Sequence, residues 1–162
     1  MLKYTTAQVV FSEIPDEITL AINLSNCPIH CPDCHSKELW ENIGTELTED
    51  TLKSLIDDNK GVSCVCFMGG DSDLLTLYDL IDFVADNYDI HIAWYSGRDK
   101  IPIGVPLSLD YIKIGPYKEE CGPLNNPNTN QVFYTRGRLM NKMSVSFNSF
   151  YDTTDKFWSK YE

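Results

Sequence analysis

An α/β fold, laid out as an open partial (β/α) barrel with a mostly parallel sheet and helices outside, is what this sequence predicts. Three observations carry that expectation. Short apolar runs of strand length alternate with amphipathic stretches of helical period, the order expected of parallel strands joined by right-handed crossovers. Two of those runs open onto loops rich in cysteine or glycine, at the strand ends where α/β folds place ligands. The 162 residues suffice for one domain with a substantial core but fall short of the about 250 of a closed (β/α)8 barrel. No internal repeat or low-complexity tract interrupts the pattern.

Residues 6–11 and 17–24 read as strands, with Pro15-Asp16 as a turn between them. In the second, Ile18, Leu20, Ile22 and Leu24 share a face opposite Thr19, Ala21 and Asn23, and the strand delivers the chain to Cys27. Residues 37–42 suit a short helix, which Gly44 breaks. Thr48 is placed to cap a second helix, whose first turn carries Glu49 and Asp50 at the positive end of the dipole. Its inner stripe is Leu52, Leu55 and Ile56, and Gly61 ends it.

Residues 62–68 form an apolar strand on which Cys64 and Cys66, two apart, face one side and read as core packing. The strand opens onto Gly69-Gly70-Asp71, where missing Cβ atoms let backbone approach a ligand closely. Residues 73–88 make the clearest helix, with Leu74, Leu77, Tyr78, Ile81, Val84 and Ala85 on one face. The next strand, 90–95, holds His91 as a hydrogen-bonded structural histidine and ends in Ser96-Gly97-Arg98. Residues 110–114 are a further strand, closed by Gly115-Pro116. After it come a glycine- and proline-containing loop with Cys121, an edge strand over 132–134, and an aromatic segment over 147–158 that packs on the body or on a partner.

The chemistry concentrates at residues 26–35, NCPIHCPDCH. Pro28 and Pro32 keep this stretch out of regular structure, and Cys27, Cys31 and Cys34 fall within eight residues as CxxxCxxC. Three thiolates so close converge on a soft metal centre. A closed zinc site needs four protein ligands, so His30 or His35 completing a zinc knuckle is one reading. The other is an iron–sulfur cubane with three corners held by the protein and the fourth open to a cosubstrate.

The six cysteines are spread unevenly, which fits thiol or metal chemistry in a reducing compartment better than a disulfide framework. A formal net charge of −11, without clustered Lys or Arg, argues against a nucleic-acid partner. The sequence carries no apolar run of about 18 residues and no signal-peptide pattern, so no membrane partner and a cytoplasmic location are expected.

The CxxxCxxC spacing resembles the signature of the radical S-adenosylmethionine (SAM) enzymes. The surrounding Cys31-Pro32-Asp33-Cys34-His35-Ser36 resembles the activating proteins of anaerobic ribonucleotide reductase, with Asp33 where that family usually has Gly. Gly69-Gly70-Asp71 resembles the GGE motif that binds the SAM amino group, with Asp for Glu, and Ser96-Gly97-Arg98 is similar to a YTG-type strand end. The run DYIKIGPY and then Thr129-Asn130-Gln131 resemble the later part of the same proteins.

That resemblance, running from the strand before Cys27 to about Gln131, implies a single radical SAM domain over residues 1–162 with a partial barrel of the radical SAM type. It implies a [4Fe-4S] cluster on Cys27, Cys31 and Cys34. It further implies SAM held by Asp33, Cys34, His35, Gly69, Gly70, Asp71, Ser96 and Arg98. The chemistry is then the cofactor's, and no catalytic side chain is required. The implied activity is reductive cleavage of SAM to a 5′-deoxyadenosyl radical, which abstracts a hydrogen atom from a glycine of anaerobic ribonucleotide reductase. The implied partners are that enzyme's large subunit and an electron donor such as flavodoxin or ferredoxin. Another glycyl radical enzyme or a small substrate is the runner-up. A zinc-stabilised interaction module and a ferredoxin-like electron carrier are the readings from other classes.

Overall fold

The computed structural model describes residues 1–158. The last four positions of the expected 1–162 domain lie outside the described residues. Eight strands form one sheet: β1 (Lys3–Val10), β2 (Thr19–Leu24), β3 (Thr45–Glu46), β4 (Cys64–Met68), β5 (His91–Tyr95), β6 (Tyr111–Ile114), β7 (Val132–Arg136) and β8 (Phe150–Asp152). Their spatial order is β3-β1-β2-β4-β5-β6-β7-β8.

This sheet corrects the mostly parallel barrel expected above. Four of its seven pairings are antiparallel, β1 with β2 and with β3, β6 with β7, and β7 with β8. The three parallel pairings, β2 with β4, β4 with β5 and β5 with β6, are confined to the centre. Only two α-helices are present among the described residues, α1 (Glu49–Asp57) and α2 (Leu74–Asn87), so the molecule is a mixed sheet with little helix rather than a helix-rich barrel. The physical reason lies in the connections. A parallel crossover needs about a dozen residues or more, usually with a helix, whereas residues 11–18 between β1 and β2 only suffice for a turn through Asp16 at φ 67°. The stretches between β6 and β7 and between β7 and β8 contain no α-helix either.

α1 begins at its expected cap, Thr48, and α2 begins after Asp73, the first residue of the expected helix, which serves as its cap. The Thr48 side chain accepts from the Thr51 N–H at 3.1 Å, and Asp73 accepts from the Thr76 N–H at 3.2 Å. α1 stops at Asp57, four residues short of the glycine expected to end it. The short helix expected over 37–42 is a 3-10 turn, Lys37–Trp40. The strand expected at 132–134 is not an edge, because β8 pairs outside it.

Leu52 and Ile56 of α1 and Leu77, Ile81 and Val84 of α2 bury their apolar stripes on one face of the sheet, against Leu20, Ile22, Val65, Phe67, Ile92, Trp94 and Ile112. On the other face Cys64, Cys66, Ala93, Tyr111 and Phe133 are covered by Ile14, Leu124 and Phe157 from loops and the C-terminal segment. The C-terminal aromatics divide: Phe157 joins this second core and the Trp158 indole N–H donates to the Leu124 carbonyl at 2.9 Å, whereas Phe147 is exposed. No helix among the described residues is long and apolar enough to cross a membrane.

At the amino ends of the central strands, the buried Glu17 carboxylate accepts from Tyr111 OH at 2.6 Å and Ser63 OH at 2.7 Å and pairs with His91 Nδ1. Burial alone pushes the Glu17 carboxyl up, but these hydrogen bonds outweigh it and hold the group below its ordinary 4.5. The hydrogen bond to Glu17 raises His91 above its ordinary 6.5. A lowered carboxyl stabilises the fold above its unfolded-state value, and a raised imidazole stabilises it below its own. The pair is therefore complete between pH 4.5 and 6.5 and weakens as pH climbs through the raised His91 value. Urea midpoints measured from pH 5.5 to 8.5 are expected to fall with rising pH, and His91→Gln is expected to flatten that fall.

Candidate metal centre

The loop over residues 25–36 is tied down through its backbone. The N–H groups of Ser25, Asn26 and Cys27 donate to the carbonyls of Lys3, Glu41 and Leu39 at 3.0, 2.9 and 2.9 Å. Asn26 and His30 take left-handed φ values of 60° and 51°, so the chain reverses on either side of Pro28. The Cys34 N–H donates to the Cys31 carbonyl at 3.0 Å, a tight turn between the second and third cysteines. The Ser36 N–H donates to Cys34 Sγ at 3.4 Å, which fixes the turn after the third cysteine.

Cys27, Cys31 and Cys34 are half-buried and line one cavity of about 180 Å³. Its other wall comes from the carboxyl ends of the central strands, which the register aligns. Asn23 stands opposite Met68, Met68 opposite Tyr95, and Tyr95 opposite Lys113, so one row of side chains crosses the sheet on one face. Met68, Tyr95 and Lys113 of that row line the cavity, together with Gly69, Asp71, Gly97 and Gly115 from the loops that follow. Ile29, Cys31 and Gly97 also border an open groove of about 820 Å³ that continues toward Arg98 and Ile103.

Of the residues expected to hold a cosubstrate, Cys34, Gly69 and Asp71 reach the cavity. The others stand around it. The Asp33 carboxylate accepts from the Glu119 N–H at 3.1 Å, tying the cysteine loop to the segment after β6. His35 meets the edge of Tyr117, and His30 stacks on Trp40 with ring centres 4.6 Å apart. Gly70, at φ 97°, packs toward α2: a Cβ there would lie 3.2 Å from Leu77. Ser96 donates to the Asp71 carboxylate at 2.6 Å, and Arg98 reaches both that carboxylate (3.1 Å) and the Asp71 carbonyl (3.0 Å). Ser96 and Arg98 thus fix Asp71, and Arg98 borders the groove.

Sequence reasoning did not single out Lys113, Trp40 or Tyr95 as site residues. Lys113 left one signal, a lone charge inside the apolar run Tyr111-Ile112-Lys113-Ile114. Trp40 and Tyr95 left none, since an aromatic in a turn or strand reads as packing.

The donor set suits an iron–sulfur cluster. Soft thiolates match iron. Trp40, whose indole N–H has no hydrogen-bond partner, and the buried Lys113 both belong to the cavity wall, a set of donors that suits a guest rich in sulfur acceptors. Among the described residues no group of three His, Cys, Asp or Glu side chains is arranged to hold a single metal ion. A cubane places each thiolate on a separate iron, so its ligands stand wider apart. Cys64 and Cys66 are fully buried in β4, and Cys121 lies off the cavity, which leaves three cysteines on the cavity wall. These residues fit a cluster with one corner free of cysteine.

No curated protein and no solved structure matches the chain. Residues 18–98, half of the 162, match the family of 4Fe-4S single cluster domains, and all three cavity cysteines fall within that span. The chain belongs to the 4Fe-4S single cluster domain family.

Proposed function

We propose that this chain is a radical SAM activase of cytoplasmic location, which generates the glycyl radical of anaerobic ribonucleotide reductase. In the reaction, one electron from a donor such as flavodoxin or ferredoxin enters SAM, and its sulfonium carbon–sulfur bond breaks to methionine and a 5′-deoxyadenosyl radical. That radical takes a hydrogen atom from a glycine Cα of the reductase large subunit, leaving 5′-deoxyadenosine and the glycyl radical. When bound, the cluster supplies the single electron. The observation that carries the reading is the cavity itself: three cysteines in CxxxCxxC spacing, facing the Gly69 turn, at the carboxyl ends of parallel strands.

In this reading the chain's own residues bind and orient. Gly69, at φ 110°, brings backbone to the cavity edge where a side chain would meet the Leu24 carbonyl oxygen at 3.2 Å. Asp71 offers a carboxylate to an ammonium group, held in place by Ser96 and Arg98. The open groove beyond Cys31 has room for a nucleoside, because ligand pockets run from about 300 to 1,000 Å³. Holding reactants in register is the main task left to such a protein.

The test is anaerobic reconstitution, then measurement of iron, acid-labile sulfide and 5′-deoxyadenosine with dithionite and SAM, with and without the reductase. The expected result is about four irons per chain, 5′-deoxyadenosine formation, and a glycyl radical signal when the reductase is present. A cluster-bearing protein that never cleaves SAM would be an electron carrier instead.

A further inference from the structure

Lys113 is the one lysine of the sheet's central strands, and it is buried at 9% exposure. Its ammonium donates to the Gly115 carbonyl at 3.3 Å and lies 5.4 Å from the centre of the Tyr95 ring. Among the described residues it forms no ion pair with a carboxylate. The buried carboxylate of the same cavity, Asp71, is held by Arg98 and Ser96 and lies beyond ion-pair distance of Lys113. Burial lowers the Lys113 ammonium to about 8, with Asp71, Cys31, Cys66 and Cys27 acting against that fall, so it still carries its proton near neutrality.

An unpaired buried cation is strongly unfavourable, and such a charge is tolerated where a counter-ion shares the site. Two features of the cavity say what that counter-ion is. Besides Asp71 and the phenols of Tyr95 and Tyr117, the acidic groups on its wall are the thiols of Cys27, Cys31 and Cys34, and Trp40, whose indole N–H has no hydrogen-bond partner, is also a wall residue.

We infer that Lys113 is the counter-charge of the thiolate-held centre, a positioning residue whose ammonium offsets the negative charge gathered in the cavity and favours the reduced, more negative state of a bound cluster. The inference rests on the placement of a cluster on these three thiols and on nothing about the cosubstrate. The same ammonium is then unpaired in the metal-free protein and paired in the loaded one, so removing it has opposite effects on the two.

The experiment uses the full chain and two neutral variants, Lys113→Met and Lys113→Gln. Metal-free protein is melted, and reconstituted protein is titrated by spectroscopically monitored redox potentiometry without SAM. Metal-free Lys113→Met is expected to melt no lower than the wild type. In both variants the reduced-to-oxidised ratio at a fixed potential is expected to fall about tenfold, a downward shift of about 59 mV for one electron. Unchanged potentials in both variants overturn the inference. So does a shift that emerges only after SAM is added, which would assign the ammonium to the cosubstrate carboxylate. Wild-type protein that takes up no iron and sulfide overturns the cluster placement itself. A cluster that shows the shift but never cleaves SAM leaves this inference standing and removes the activase reading.

Discussion

Cys31→Ala is expected to cut the iron and sulfide taken up on anaerobic reconstitution at least tenfold while leaving the protein folded. The two halves of that expectation come from different parts of the structure. Cys31 is half-buried in a loop whose anchors are backbone hydrogen bonds from Asn26 to Glu41 and from Cys27 to Leu39, so removing the thiol breaks none of these anchors. A loop substitution of that kind costs about 0.5 kcal/mol or less. The thiol is, however, one of three on the cavity wall, and two thiolates leave half of a cubane's irons without protein ligands. Cys66→Ala is the converse control. Its thiol is fully buried in β4, where desolvation pushes its pKa well up and makes it a packing group. That variant is expected to keep its iron and lose about 1 kcal/mol of stability. Circular dichroism, urea unfolding and iron and sulfide assays on the two variants separate ligand from core. Normal cluster loading of Cys31→Ala would remove that residue from the ligand set.

Elements with a strong local signature were legible in the sequence. The α2 stripe of Leu77, Ile81 and Val84, the cap Thr48, and the delivery of the cysteine loop by β2 all follow from period and spacing, and the structure has each of them. The direction of strand pairing has no such signature. A strand-length run such as Val132 to Arg136 reads the same whether its neighbour runs parallel or antiparallel, and β8, with three residues, has no period to read. The one available clue was length: eight residues between β1 and β2 are too few for a crossover helix. The cavity was legible on its cysteine side, where three like residues cluster in sequence. Its far wall is assembled by register from residues far apart in the chain, Met68, Tyr95 and Lys113, and each alone resembles ordinary strand packing. Two adjacent glycines likewise hide different duties: Gly69 borders the cavity, whereas Gly70 makes room for Leu77.

Trp94→Ala is expected to destabilise the protein by about 3–5 kcal/mol, because it truncates the largest fully buried side chain among the described residues. Trp94 lies in β5, between β4 and β6, with its ring edge-on to Tyr78 at 6.2 Å between centres. Truncation opens a void against the α2 face of the core. It also removes the indole N–H that donates to the Gly69 carbonyl at 2.8 Å. That bond makes Trp94 more than filler, because it links the core to the glycine turn on the cavity edge. Trp94→Phe keeps a smaller aromatic ring and removes the donor, and the expected loss falls to about 1–3 kcal/mol, mainly for the unsatisfied carbonyl. If the link to Gly69 steadies the cavity, Trp94→Phe loses cluster more readily than its modest destabilisation accounts for, read as the rate of iron release to a chelator at equal folded fraction. A Leu75→Ala control, at a position 78% exposed on α2, is expected to change neither quantity. Equal release from Trp94→Phe and the wild type would reduce Trp94 to a packing residue and leave the Gly69 turn to be held by its own backbone, through the Gly69 N–H to the Tyr95 carbonyl at 2.9 Å.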